Sequence, residues 1–402
     1  MMSFVFFVSL IGLVYIYIGY PFLIFILGKI CSKPVLKDEI RVPVTILIAA
    51  YNEERDIEAT VCNKLEQDYP PDLLEVIVIS DGSTDKTDEI VNSIEDPRVR
   101  LLRQEPRAGK TSALNMAVPH ARGEILVFSD ANSISAPDAL SKLIQNFNDP
   151  GIGYVTGKMV YTDQDGTIVG DGCTAYMKYE NFLRRIESRL GSVVGVDGGI
   201  DAVRKELYRP MNPDQLPDFV LPLKVVEQGY RVVYEPKAIL KEPSLRAAQD
   251  EYKMRVRVSL RALWALWDMR HLLTFSPSQA RTFSTLSNDS PSHLLTFSPS
   301  FLYSWQLWSH KLLRYLAFIF LLGTYFSNLA LYSKGEIYKI FFLLQNLCYL
   351  AAFLGAYAKK GGHLAKVLYP FNYFVLLNLA SAHAFIKFLL RQKQVIWTPR
   401  KG

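Results

Sequence analysis

Residues 1–28 contain no Lys, Arg, Asp or Glu, and three further charge-free apolar runs occupy 315–333, 340–358 and 367–386. Each approaches the ~20 residues needed to cross a hydrocarbon core, so both ends of the chain belong in lipid and only the middle folds in water. The first run exceeds the ~7–15 apolar residues of a signal peptide and has no basic residue before it, so it reads as a retained anchor. Lys29, Lys33, Lys37 and Arg41 follow it, which by the positive-inside rule puts the middle of the chain in the cytosol. The plasma (inner) membrane is the expected location. Three later crossings would strand the basic tail Arg391, Lys393, Arg400 and Lys401 on the opposite side, against the same rule. The 367–386 run, interrupted by Pro370, Asn372, Asn378 and His383, is the weakest span, and an interfacial or re-entrant segment there removes the conflict.

A length of 402 residues allows two or three domains. The expected division is an anchor at 1–30, a cytosolic domain at 40–270, a Ser/Pro-rich loop at 271–300, and an interfacial helix with about three transmembrane helices at 301–402. The 45 basic and 39 acidic residues are interspersed, for a net +6, which argues for contact with membrane lipids and against nucleic acid. Cys31, Cys62, Cys173 and Cys348 are far apart and form no CxxC or Cys/His pattern, so neither a disulfide framework nor a zinc site is expected. The octapeptide HLLTFSPS occurs at 271–278 and again at 293–300. Since the flanks read continuously without 271–292, this is a short tandem duplication in a polar loop, dispensable for activity.

Between 42 and 130 short β-branched runs alternate with helical patterns, the signature of βαβ units and a parallel sheet. In such sheets ligands bind beyond the carboxyl ends of the strands. The turns Tyr51 to Glu54, Asp81 to Asp85 and Asp130 to Asn132 should therefore meet at one crevice. Asp130 and Asn132, at i and i+2 of a strand end, can offer two oxygens to a hard cation, Mg2+ or Mn2+, that also binds a diphosphate. Taken alone, Asp81-Gly82-Ser83-Thr84 is equally a capped strand-to-helix turn. Gly109-Lys110-Thr111 resembles the end of a P-loop, but Gln104 stands where the first glycine is required, which excludes a nucleoside triphosphatase. Phe301, Tyr303, Trp305 and Trp308 read as an interfacial aromatic belt. His310 and His383 have no partner at ligand spacing.

The ordered set IAAYNEE (48–54), SDGSTDKT (80–87), RAGKTSALN (107–115), FSDANS (128–133), VDGGIDAVRKELY (196–208), PDFVLPLKVVEQGYRVVYEP (217–236) and EYKMRVRVSLRALW (251–264) resembles the family 2 glycosyltransferases. Within them it is similar to the membrane-embedded cellulose, hyaluronan and poly-N-acetylglucosamine synthases, over roughly 42–400. The resemblance implies an α/β, GT-A-like nucleotide-sugar-binding domain with a mostly parallel sheet, and transmembrane helices at both ends. It implies that Tyr51, Glu53 and Asp81 hold the uracil and ribose of a UDP-sugar, that Lys110 is the basic residue of the next helix start, and that Asp130 and Asn132 bind the metal. Asp218, with Gly229-Tyr230 following at the family's distance, matches the general base, although Pro217 replaces the acid before it. Arg255 and Arg257 match the arginines of the QRxRW element, with Met254 and Val258 in place of Gln and Trp. Gly198 and Gly199 match the small residues near the acceptor.

One base and no carboxylate nucleophile imply direct displacement with inversion, Asp218 taking the acceptor proton and the cation with Arg255 and Arg257 stabilising the leaving diphosphate. The leading expectation is extension of a β-linked polysaccharide at the cytosolic face. The alternatives are transfer of one sugar to a lipid acceptor, and a catalytically inactive scaffold subunit, the latter raised by Asn132, Pro217 and the altered QRxRW ends. A homo-oligomer or an accessory subunit is compatible with all three.

Overall fold

The computed structural model describes residues 1–162, 172–243, 248–274, 299–358 and 363–395. The duplicated segment lies largely outside the described residues. An N-terminal helix, α1 (Met2–Ile30), leads into the strands β1 (Val44–Ala50), β2 (Leu74–Asp81), β3 (Val99–Gln104) and β4 (Ile125–Asp130). Between them lie α2 (Ile57–Leu65), α3 (Thr87–Asn92) and α4 (Lys110–Ala117). Then come β5 (Ile134–Ser135), α5 (Ala139–Ile144), β6 (Ile152–Thr162), α6 (Gly172–Leu190), β7 (Ile200–Arg204), α7 (Pro217–Glu227) and β8 (Arg231–Pro243). The chain continues through α8 (Ala248–Asp268) to four apolar helices: α9 (Phe301–Tyr315), α10 (Ala317–Leu331), α11 (Glu336–Tyr357) and α12 (His363–Leu389).

The strands form one sheet in the order β3-β2-β1-β4-β7-β6-β8-β5. Pairs within β3-β2-β1-β4 are parallel, as the βαβ spacing requires; β7 runs antiparallel to both β4 and β6, and β6 and β8 are again parallel. The sheet is therefore mixed, with the expected parallel half carrying the three acidic turns. Successive β1 residues alternate between two cores: Leu47 and Ala49 pack with α4 and α7, Ile46 and Ile48 with α2 and α5. Burial on both faces is why VTILIAA reads as an unbroken apolar run.

Among the described residues two helices, Met2–Ile30 and Glu336–Tyr357, are long and apolar enough to cross a membrane, and the pair Phe301–Tyr315 and Ala317–Lys334, bent by 57°, is a third candidate. The weakest run, in α12, lies along the sheet domain: Ala380 and Ala384 pack against Val256, Leu260 and Leu263 of α8. Beyond α12 the tail stays on that surface. Trp264 Nε1 donates to the Gln392 carbonyl (2.8 Å), and Lys393 Nζ lies 2.6 Å from Asp214 Oδ2. The tail thus contacts the sheet domain through Trp264 and Asp214.

Candidate active site

Parallel pairing aligns the strand ends: Ala50 is in register with Ser80, and Ala49 with Asp130. The first two turns then lock together. Asn52, at φ 55°, donates its N–H to Ser83 Oγ (3.2 Å), Glu53 N–H to Thr87 Oγ1 (2.9 Å) and Glu54 N–H to Asp85 Oδ2 (3.1 Å). The hydroxyl-rich SDGSTDKT turn therefore serves as both a helix start and the support of the neighbouring turn. Asp81 is fully buried and accepts from Gln104 Nε2 and from the backbone N–H groups of Ala108 (2.8 Å) and Gly109 (3.0 Å). Its carboxylate secures the loop that begins α4. Arg107, on that loop, covers the Tyr51 ring with its guanidinium carbon 3.3 Å from the centroid.

A cavity of about 530 Å³ opens beside these turns, lined by Glu53, Lys110, Asp130, Asn132, Gly198, Asp218, Arg255 and Arg257. Eight of the eleven sequence-derived site residues thus meet in one space, while Tyr51 and Asp81 are not among its lining residues. Gly199 also faces the site: a Cβ there would lie 3.3 Å from Asp130 Oδ2. At Gly198 (φ +72°) a Cβ would come within 2.6 Å of Asp218 Oδ2, so both the backbone and the close approach of the carboxylate require glycine. Asp218 sits in the first turn of α7, where Pro217 occupies a position whose fixed φ suits a helix start. The proline that replaces an acid is therefore compatible with a well-aimed Asp218.

Lys110 Nζ pairs with Asp130 Oδ1. Burial opposes its charge, but Asp130, Asp218 and Asp201 outweigh that and raise its pKa. Asp201, on β7 and 1% exposed, escaped the sequence reading because it lies inside a strand. Burial pushes its carboxyl up to about 7, with the charges of Asp218 and Asp197 adding to the effect and Lys110 opposing it. The folded state therefore holds a proton that the unfolded chain releases near the ordinary value of 3.8. Its contribution to stability is complete below that value and is lost as pH rises through about 7. Asp201→Asn should flatten this part of the stability profile and raise Tm at pH 8 by several degrees while changing it little at pH 4; equal Tm shifts at both pH values would exclude the titration.

The arginines of α8 divide by function. Arg255 donates from Nε to Glu251 (2.8 Å) and from Nη2 to Tyr373 of α12 (2.6 Å), and lies over the Tyr176 ring. Arg261, not singled out by sequence, is 5% exposed and donates to the Asp214 and Gln215 carbonyls and to Thr111 Oγ1, fastening α8 to α4. Burial lowers its pKa to about 10. The cavity continues past Arg255 to Tyr17 of α1, Arg314 of α9 and Tyr373 and Asn378 of α12. His310, without a partner in the local sequence, is fully buried between two glutamates of α6, with Nδ1 2.6 Å from Glu187 and Nε2 3.2 Å from Glu180. It joins the domain to the apolar helices. In the aromatic stripe Phe301 and Trp308 are exposed, whereas Tyr303 is buried in the core.

No group of three or more His, Cys, Asp or Glu side chains could by itself hold a metal among the described residues. The donors available are Asp130 and Asn132, a two-oxygen set that suits a hard cation completing its shell with diphosphate and water. These residues fit such a metal.

Residues 45–209 match the profile of glycosyl transferase family 2. The chain is 30% identical over 203 residues to the poly-β-1,6-N-acetyl-D-glucosamine synthase of Staphylococcus aureus (strain COL), covering 49% of this chain and 48% of that protein. It is 26% identical over 235 residues to the same-named enzyme of Staphylococcus epidermidis, covering 55% and 57%. The chain thus spans about half the length of the curated relatives it matches. A mannosyltransferase from Pyrobaculum calidifontis, solved with GDP-Man and Mn2+, superposes with a TM-score of 0.67 at 24% identity, over 96% of this chain and 99% of its own, and so shares the fold. Residues 45–209 are thus similar to glycosyl transferase family 2, within a chain of GT-A-like fold.

Proposed function

We propose that the chain is an inverting glycosyltransferase that extends a β-linked polysaccharide from a UDP-sugar at the cytosolic face of a membrane. The observation that carries this reading is the single cavity joining the Lys110, Asp130 and Asp218 cluster to groups of α1, α9 and α12. A donor at the strand ends and an acceptor arriving from the apolar helices would meet at Asp218. In this reading Tyr51, capped by Arg107, and Glu53 receive the nucleoside, and Asp81 acts by holding the 104–109 turn. Lys110 and Arg257 face the diphosphate, with Arg255 beside them. A divalent metal, Mg2+ or Mn2+, held by Asp130 and Asn132 would neutralise charge on the leaving diphosphate.

Asp218 takes the proton of the acceptor hydroxyl as its oxygen bonds to the anomeric carbon and the sugar–phosphate bond breaks. Displacement from the opposite face turns an α-linked donor into a β-linked product. Gly198 and Gly199 leave room beside Asp218 and Asp130 for the reacting sugars. Three crossings, with α12 at the interface, would put the domain and the tail in the cytosol, consistent with the basic residues after α1. The alternative is single-sugar transfer to a lipid acceptor; Arg314, where the cavity meets the apolar helices, is paired with Glu180, so it would have to share its guanidinium with an acceptor phosphate. An inactive scaffold is disfavoured by the intact Lys110, Asp130 and Asp218 cluster.

The test is UDP release from membranes given a panel of UDP-sugars with Mg2+ or Mn2+, followed by product mass. Metal-dependent release with one donor and a ladder of products supports polysaccharide extension; a single added sugar selects the lipid acceptor; no release with any donor sinks both.

A further inference from the structure

Asp130 ends β4 and Asn132 lies in the short segment that leaves the sheet before β5, and backbone carbonyls from Ala131 to Ser135 need partners outside the ladder. Three come from one face of α2. Thr60 Oγ1 donates to the Ala131 carbonyl (2.8 Å), Lys64 Nζ to the Ser133 carbonyl (2.9 Å) and Asn63 Nδ2 to the Ser135 carbonyl (3.0 Å). Thr60, Asn63 and Lys64 stand at i, i+3 and i+4, the spacing that stacks side chains on one helix face. They grip alternate carbonyls from 131 to 135 and leave Asp130 and Asn132 directed to the cavity. Asn63 Oδ1 also accepts the Ser135 N–H (2.8 Å), and Ser133 Oγ, itself buried, donates back to the Asp130 carbonyl (3.0 Å).

Lys64 is the exceptional member of this face. It is 2% exposed in a position that a leucine or methionine could fill, and burying an ammonium group is costly. It directs its bonds to the Ser133 carbonyl, Ser135 Oγ (2.8 Å) and Asn63 Oδ1 (3.1 Å), all uncharged. No carboxylate among the described residues is bonded to it directly, and the more distant Asp130 charge only partly offsets the burial that lowers its pKa to about 7, so ion pairing does not account for its placement. The contacts do: a long side chain with three donors reaches from α2 to two points of the turn and to the neighbouring Asn63. With Asn132 in place of a second carboxylate, the site has less charge to attract a cation, and its affinity depends more heavily on how firmly the two oxygens are held.

We propose that Lys64, with Thr60 and Asn63, is a positioning residue that presets the Asp130-Ala131-Asn132 turn for a divalent cation bound together with a nucleoside diphosphate. The inference rests on the metal-dependent reading above and extends it to a helix that contacts neither the proposed donor nor the reacting atoms.

The experiment uses the full-length chain in detergent and follows free Mn2+ by electron paramagnetic resonance during titration with UDP present, alongside the Mn2+ dependence of UDP release. Lys64→Met keeps an unbranched side chain one heavy atom shorter and removes the donors. It should weaken Mn2+ binding about 10-fold or more, with kcat at saturating Mn2+ within about threefold of native, as loss of a group that orients a metal ligand predicts. Thr60→Val should shift Mn2+ binding in the same direction by less, and it carries the test if Lys64→Met does not fold. Val61→Ala, on the same helix but in the apolar core, is the control: it should lower Tm and leave Mn2+ affinity unchanged. Native-like Mn2+ binding in Lys64→Met or, where that variant does not fold, in Thr60→Val overturns the proposal, as does weakening that merely tracks Tm across all the variants. Failure of the native chain itself to bind Mn2+ with UDP overturns the underlying metal reading instead, and is recognised because it appears before any substitution.

Discussion

Asp218→Asn is expected to lower sugar transfer about 10²–10⁴-fold, the range for loss of a positioned general base. Its amide keeps the shape of the carboxylate beside Gly198, where a Cβ would lie only 2.6 Å from Oδ2, so fold and donor binding should survive. UDP affinity, measured by calorimetry on the same preparation, separates the two effects. A variant that binds UDP normally and transfers sugar at a native rate would show that the proton leaves by another route.

Lys110→Met should have an effect of comparable size but a different signature. Lys110 pairs with Asp130 and lies in the field of Asp218 and Asp201, so it offsets three carboxylates as well as facing the proposed diphosphate. Removing it leaves those charges opposed by more distant groups, Lys64 near Asp130 and Arg261 near Asp218. A loss of about 10²–10³-fold in kcat/KM is expected, as for deletion of a preorganised electrostatic contact. The Asp218 substitution should act on kcat alone, whereas this one should also weaken UDP. Unchanged UDP affinity and unchanged kcat/KM would remove Lys110 from the site. Arg is a poor replacement, because a planar fork cannot reproduce a point charge between closely packed carboxylates.

Much of this arrangement was legible in local patterns. The run VTILIAA announced a strand buried on both faces, and SDGSTDKT announced a polar strand end, a short-range signal; its hydroxyls, however, support the Asn52–Glu53 turn rather than cap α3. Glu53, Asp130 and Asn132 could be gathered into one crevice because parallel strands bring their carboxyl ends to the same edge, whereas Gly198, Asp218, Arg255 and Arg257 were reached only through the family resemblance. The direction of the Asp81 side chain was not legible. Its family position implies contact with the nucleoside, but in the structure the carboxylate turns inward to Ala108 and Gly109, where unpaired backbone N–H groups need an acceptor.

What the sequence determined alone is the division into apolar ends and a charged middle, the parallel half of the sheet, and the identity of the polar strand ends, since each follows from composition or from periodicity over a few residues. Tertiary structure alone decided that β7 enters antiparallel and brings Asp201 near Lys110 and Asp218, and that His310 lies between Glu180 and Glu187. It also decided that α2 grips the turn after Asp130, and that the tail beyond α12 returns to Trp264 and Asp214. These are contacts between segments tens to hundreds of residues apart. Their partners are chosen by which faces the packed elements present to one another, and nothing in the local pattern of either segment specifies the other.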